Sequence, residues 1–249
     1  MTIYTDNPTG GRSVRIFKVE DRLCSMKEHW YHDSDGEAKF KQNLKKTPSD
    51  WKYRTETITY QNNSLGYRTK EFNEINWKKS IVVFGCSLVY GVGVNEKDTI
   101  ANQLSEITGH YVVNMGVPGS SGQFAVHNLV CLLQHYKPKA IAIGWPDPSR
   151  VPLYLKDRVV NCGSWRDDPA GLGAAQRRYD WHGNSVLQLQ HLIAKQMGVT
   201  ANFSLFKGVK KILTDVPYIP IIDYGRDLSH GGVKTYKMVA KCIAQQLAL

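Results

Sequence analysis

Three short apolar runs, Ser80–Phe84, Tyr111–Met115 and Ala140–Ile143, each end at a glycine: Gly85, Gly116 and Gly144. Between them, Thr99–Thr108 carries Ile100, Leu104 and Ile107, and Phe124–His135 carries Val126, Leu129, Val130 and Leu133. Runs of this length suit strands, whereas apolar spacings of three and four place side chains along one stripe of a helix. A helix-length crossover returns the chain to the same end of a sheet, so repeated strand, glycine and helix predict parallel strands. The class is therefore α/β, and a ligand belongs outside the carboxyl ends of the strands, where the three glycines fall.

The rest of the chain is less regular. A length of 249 residues fits one large domain with an appendage. Residues 1–53 are polar and aromatic and are expected to form an N-terminal extension or accessory layer to the domain at 54–249. The metal-capable stretch His29–Asp35 reads as a solvated polar loop, because no second ligand cluster supports it. From Tyr53, YRTETITYQNNSLGYR alternates as a strand would and turns at Asn62-Asn63-Ser64. Residues 151–184, rich in Gly, Asp, Arg and Trp, read as an irregular insertion near the active face. A helix is expected at Ser185–Met197, then a weak strand within Lys211–Asp223, interrupted by Pro217 and Pro220. Gly232–Leu249 places Val233, Tyr236, Val239, Ala240, Ile243 and Leu247 on one side of a last helix.

Composition excludes several classes. The five cysteines are scattered, with no CxxC and no zinc spacing, and are expected to be reduced thiols; no metal or organic cofactor is implied. No leader-like stretch opens the chain and no 18 apolar residues run together, which predicts a soluble, cytoplasmic protein without a transmembrane segment. The formal charge of +10 reads first as a solvated basic surface, with an anionic partner (nucleic acid, an acidic glycan or a phospholipid surface) as the alternative. Its densest pieces, Lys39–Lys46 and Lys207–Lys211, form no stripe, and no zinc finger, RNP sequence or basic zipper is present, so nucleic acid is not the expected partner.

The stretch IVVFGCSLVYGVGV, residues 81–94, carries the chemistry. A phosphate loop needs G-x-x-x-x-G-K-S/T, and no Lys-Ser/Thr follows Gly91 or Gly93. A dinucleotide turn needs closely spaced glycines after the strand, and Gly85, Gly91 and Gly93 are too far apart. A nucleophile remains: Ser87 lies just past the first parallel strand, with Cys86 beside it read as a packing thiol. The stretch is not a G-x-S-x-G elbow, because Val89 stands at the last glycine position. A serine needs a base oriented by a carboxylate. Among the eight histidines, only His230 follows an aspartate by three, in Asp227-Leu228-Ser229-His230.

Together these blocks resemble the SGNH (GDSL-type) hydrolase family. Phe84–Gly91 is similar to its first block, with Cys86 at the usual aspartate position. Asn114–Gly119 is similar to the second and Asp227–His230 to the last, and Asn63–Arg68 resembles members from bacteria and tailed phages. The resemblance spans residues 55–249 and implies a flavodoxin-like three-layer sandwich. It also implies a Ser87–His230–Asp227 triad with Ser87 and Gly116 N–H groups as oxyanion donors. One departure stands out: where the third block reads G-x-N-D, this chain has Gly144-Trp145-Pro146-Asp147, and proline donates nothing. Loss of one such donor costs about 2.7–4 kcal/mol, or roughly a hundred- to a thousandfold in rate. The Trp145 indole, Asn161 and Asn184 are the candidates to replace it. Asp147 and Arg150 read as an ion pair, with Arg150 alternatively gripping an anionic substrate group. The activity implied is a serine esterase cleaving short acyl esters, O-acetyl esters among them, of a carbohydrate or lipid. An acyltransferase on the same site and a non-catalytic glycan-binding or assembly module are the alternatives.

Overall fold

The computed structural model describes residues 19, 21–32, 34–154, 159–163 and 180–248. Residues 155–158 and 164–179 of the expected insertion, Asp33, and the side chain of Asn161 lie outside that description. In chain order, β1 is Lys27–Glu28, α1 Glu37–Leu44, β2 Tyr60–Gln61 and β3 Ser80–Gly85. Then come α2 (Ser87–Tyr90), α3 (Ile100–Thr108), β4 (Tyr111–Gly116), α4 (Gly122–His135) and β5 (Ala140–Gly144). The chain continues through β6 (Val151–Tyr154), β7 (Val159–Cys162), α5 (Asp180–Gln196), β8 (Ala201–Phe203), α6 (Lys207–Ile212) and α7 (Val233–Leu247).

The main sheet has four parallel strands in the order β4-β3-β5-β8, so the first strand in sequence lies inside, between the second and third. This is the start of the flavodoxin-like order, whose crevice opens where the strand order reverses, beside β3. Every residue of β3 is buried because both sheet faces are covered. Val82 and Phe84 join one core cluster with Phe124, Leu129 and Leu132 of α4 and Leu187 of α5. Ile81 and Val83 point the other way, toward Ile100 and Leu104 of α3 and Tyr236, Val239 and Ile243 of α7. The three layers are thus helix pair, sheet and helix pair, as expected for the class. Thr99 caps α3 and Ser121 caps α4, each accepting a backbone N–H at the third residue of its helix.

Four details depart from the sequence reading. The fourth strand of the sheet is β8, a three-residue segment too short to show a period. The Lys211–Asp223 region contributes only a single parallel bridge, Ser204 to Tyr218, and its first residues finish α6. The 151–184 segment is not wholly irregular, since β6 and β7 pair as an antiparallel hairpin and α5 begins at Asp180. The strand expected after Tyr53 shrinks to β2, which pairs with β1. Ahead of the sheet, Leu23, Tyr31, Tyr53, Ile58 and Tyr60 pack into the same core cluster as Val82 and Phe84.

Candidate active site

The carboxyl edge of the sheet carries α2, a single helical turn that begins at Ser87 directly after β3. The close approach depends on Gly116, paired in register with Gly85: a Cβ at Gly116 would overlap the backbone nitrogen of Tyr90. Asn114 fastens the same contact, donating through Nδ2 to the Val89 carbonyl (3.0 Å). The helix is capped at Cys86 without a side-chain hydrogen bond, so the Ser87 hydroxyl is not used as the cap.

It meets His230 instead. Ser87 Oγ and His230 Nε2 are 2.8 Å apart, although the residues are 143 apart in sequence. The other ring nitrogen, Nδ1, hydrogen-bonds Asp227 Oδ2. In the neutral imidazole, a proton on Nδ1 facing the Asp227 carboxylate leaves the Nε2 lone pair toward the hydroxyl. Asp227 is fully buried, and its Oδ1 accepts the backbone N–H groups of Ser229 and His230, each at 3.1 Å. Three hydrogen bonds thus satisfy a carboxylate that would otherwise be costly to bury. The His230 side chain keeps 18% of its surface exposed and Ser87 keeps 9%, which leaves the pair reachable from the crevice. Cys86, by contrast, is a free thiol packed in the apolar cluster with Ile81, Val83 and Val89.

The donors around the serine require a correction. The Gly116 N–H donates to Asn114 Oδ1 at 3.0 Å, so it is turned into the fold and does not face the crevice. The following loop folds over the end of β3: the Val117 N–H and the Ser120 hydroxyl both donate to the Gly85 carbonyl, at 2.9 and 3.0 Å. Within that loop Gly119 adopts φ +76°. The Trp145 indole is also spent, donating to Asn202 Oδ1 at 2.9 Å in a buried setting. Asn184 lies exposed on α5. The expected Asp147–Arg150 ion pair is not formed among the described residues: Asp147 Oδ1 accepts the Ser149 N–H and closes a turn. Arg150 donates to the Ser120 carbonyl and lies over the Phe206 ring. With Pro146, Asp147, Gly122 and Gln190 it lines a cleft of about 120 Å³ at the carboxyl end of β5.

Several site-building residues carry no sequence motif. Arg68 is buried and donates to the carbonyls of Gly91 (2.8 Å), Val94 (3.1 Å) and Thr59 (3.0 Å), pinning the chain after α2. Gly93 accepts the Arg226 N–H at 2.7 Å, which brings the GVG stretch against the Asp227 loop. Asp35, expected in a solvated loop, is 1% exposed and ion-paired to Arg226.

No family model and no curated protein matches the chain. Among solved structures it is similar to a protein of the G-D-S-L lipolytic family from Desulfitobacterium hafniense, with 12% identity and a TM-score of 0.43 over 68% of this chain and 99% of that one. It is also similar to the esterase EstA from a Pseudoalteromonas species, with 11% identity and a TM-score of 0.43 over 68% and 97%. A third is a catalytic mutant of an acetylxylan esterase from Geobacillus stearothermophilus, with 13% identity and a TM-score of 0.39 over 71% and 97%. At such identities the likeness is one of fold alone. No described helix is long and apolar enough to cross a membrane.

Proposed function

We propose that the chain is a serine esterase acting on short acyl esters, O-acetyl groups of a carbohydrate foremost and lipid esters next. The observation that carries this reading is the 2.8 Å contact between Ser87 Oγ and His230 Nε2, with Asp227 hydrogen-bonded to the other ring nitrogen. As an ester carbonyl is attacked by Ser87 Oγ, the hydroxyl proton passes to Nε2, and buried Asp227 supports the imidazolium that forms. Collapse of the tetrahedral adduct breaks the bond to the alcohol, which leaves with the Nε2 proton. Water then adds to the acyl-serine with His230 again taking its proton, and Ser87 is restored as the acid departs.

The Ser87 N–H opens a helix and supplies one oxyanion donor. With Gly116 engaged by Asn114, the second falls to Gly119, whose loop lies over the Gly85 carbonyl beside Ser87. Pro146 leaves the site one donor short, so a low turnover number is part of this reading. The basic surface favours an ester carried on an acidic glycan.

A fluorophosphonate probe tests it. Peptide mapping should find the label on Ser87, and both the label and p-nitrophenyl acetate turnover should vanish in His230→Ala. Added sugar acceptors that divert the acyl group from water would mark transfer in place of hydrolysis. An unlabelled Ser87 with no ester turnover would leave a binding module.

A further inference from the structure

Arg226 sits immediately before Asp227 and is 2% exposed. Its guanidinium forms a fork with Asp35: Nε donates to Oδ1 at 3.0 Å and Nη2 to Oδ2 at 2.8 Å. Nη2 also donates to the His29 carbonyl at 2.6 Å, and the plane lies 4.1 Å from the centre of the Trp30 ring. The backbone of Arg226 is held as well, its carbonyl accepting from Asn43 Nδ2 at 2.9 Å and its N–H donating to the Gly93 carbonyl at 2.7 Å. Tyr60 completes the arrangement: its hydroxyl donates to Asp35 Oδ2 and accepts the Gly93 N–H at 2.8 Å. The Tyr60 ring in turn lies beneath the Arg68 guanidinium, 4.8 Å from its carbon, and Arg68 grips the chain that leaves α2.

Such a pair is hard to explain by stability. Burying both ions costs several kcal/mol that their attraction only roughly repays, and an apolar pair of similar volume is often as stable. A bidentate fork does fix direction, in a way that apolar packing does not. Burial leaves the Asp35 carboxyl above its ordinary value, although Arg226 and Tyr60 pull it down.

We infer that Asp35 and Arg226 are positioning residues: the segment before the sheet sets the register of the Asp227–His230 loop against Ser87. This rests on the esterase reading for its consequence, but its geometry is independent of substrate. Residues 29–60 would then belong to the catalytic apparatus, not to a separable layer. Arg226 acts through the peptide bond it shares with Asp227. Asp35 acts through Arg226 and, by way of Tyr60, through Gly93.

The test uses the full chain with two changes. Asp35→Asn/Arg226→Gln removes both charges together and leaves no uncompensated buried ion. Arg226→Lys keeps the charge opposite Asp35 and loses the fork. For each, circular dichroism reports folding, fluorophosphonate labelling gives the Ser87 rate, and the ring 15N–1H signals of His230 report its bond to Asp227. The labelling rate should fall about 10- to 100-fold, the scale expected for a misplacement approaching 1 Å, with the His230 Nδ1 proton moved from its wild-type position. A folded variant with the wild-type rate and unmoved ring signals overturns the inference. If the wild type takes no label while the ring signals still move in the variants, the positioning stands and the esterase reading falls.

Discussion

Replacing Gly93 by alanine separates backbone strain from displacement of Asp227 in the proposed triad. Gly93 sits at φ +84°, where a side chain costs about 1–2 kcal/mol. An added Cβ would also lie 2.9 Å from Asp227 Oδ1, which is 0.5 Å short of the 3.4 Å where ordinary contact begins. Retreat of the new methyl is blocked by the Arg226 nitrogen at 3.2 Å and the Gly225 Cα at 3.3 Å, so the carboxylate has to give. Gly109 is the matched control, with φ +68° and nothing within 4 Å of its added Cβ. For a chain of this size each kcal/mol moves Tm by about 2–4 °C, so Gly109→Ala should melt roughly 2–8 °C lower and Gly93→Ala, with its added clash, at least as far. Their rates should part. Catalytic groups tolerate displacements of only about 0.5 Å, and Gly93→Ala should label with fluorophosphonate about tenfold more slowly while Gly109→Ala labels at the wild-type rate. Equal labelling of the two variants would refute the claim that Gly93 sets the position of Asp227.

Three further outcomes follow from the same geometry. Gly116→Ala should cost about 3 kcal/mol or more, because its Cβ meets the backbone of α2 and not a movable side chain; a urea titration measures it. Asp223→Ala should lower stability by about 0.5–2 kcal/mol, read by thermal melting, since this carboxylate accepts the Lys234 and Thr235 N–H groups (2.9 and 2.8 Å) that open α7. Lys195 chiefly, with His191, holds the Asp215 carboxyl down at about 2, below its unfolded value near 3.9. Its contribution is present above about pH 4 and fades as pH falls toward 2. With both Lys195 and Asp215 half exposed it is below about 1 kcal/mol, so the urea-midpoint gap between wild type and Asp215→Asn should be small at pH 7 and closed near pH 2.

What the sequence disclosed follows from how each feature is encoded. The strands β3, β4 and β5 are almost wholly buried and the helices α3, α4 and α7 each bury one face, so their apolar patterns are written in nearby residues. Ser87, Asp227 and His230, which the structure brings into contact, stood out because a serine just after a strand and an aspartate three before a histidine are local patterns. The fourth strand escaped because three residues, Ala201–Phe203, hold no period at all. Gly116 was misjudged for a related reason: a glycine at a strand end announces a close approach, not what approaches. Here the approaching group is the backbone of α2, and Asn114 takes the N–H that the family pattern would aim at an oxyanion.

Asp35 and Arg226 were hidden in another way. They lie 191 residues apart, and each alone is an ordinary charged residue. Their meaning arises only when the chain before the sheet folds over the loop after β8 and excludes water from both. A buried fork of this kind is a property of the tertiary contact, and no window of sequence contains it. Yet the position of Arg226, one residue from the buried carboxylate that orients His230, makes the contact consequential. A shift of the segment that holds Asp35 reaches Asp227 through one ion pair and one peptide bond, with no other side chain between them. The segment least legible in the sequence is therefore the one on which the spacing of the legible residues depends.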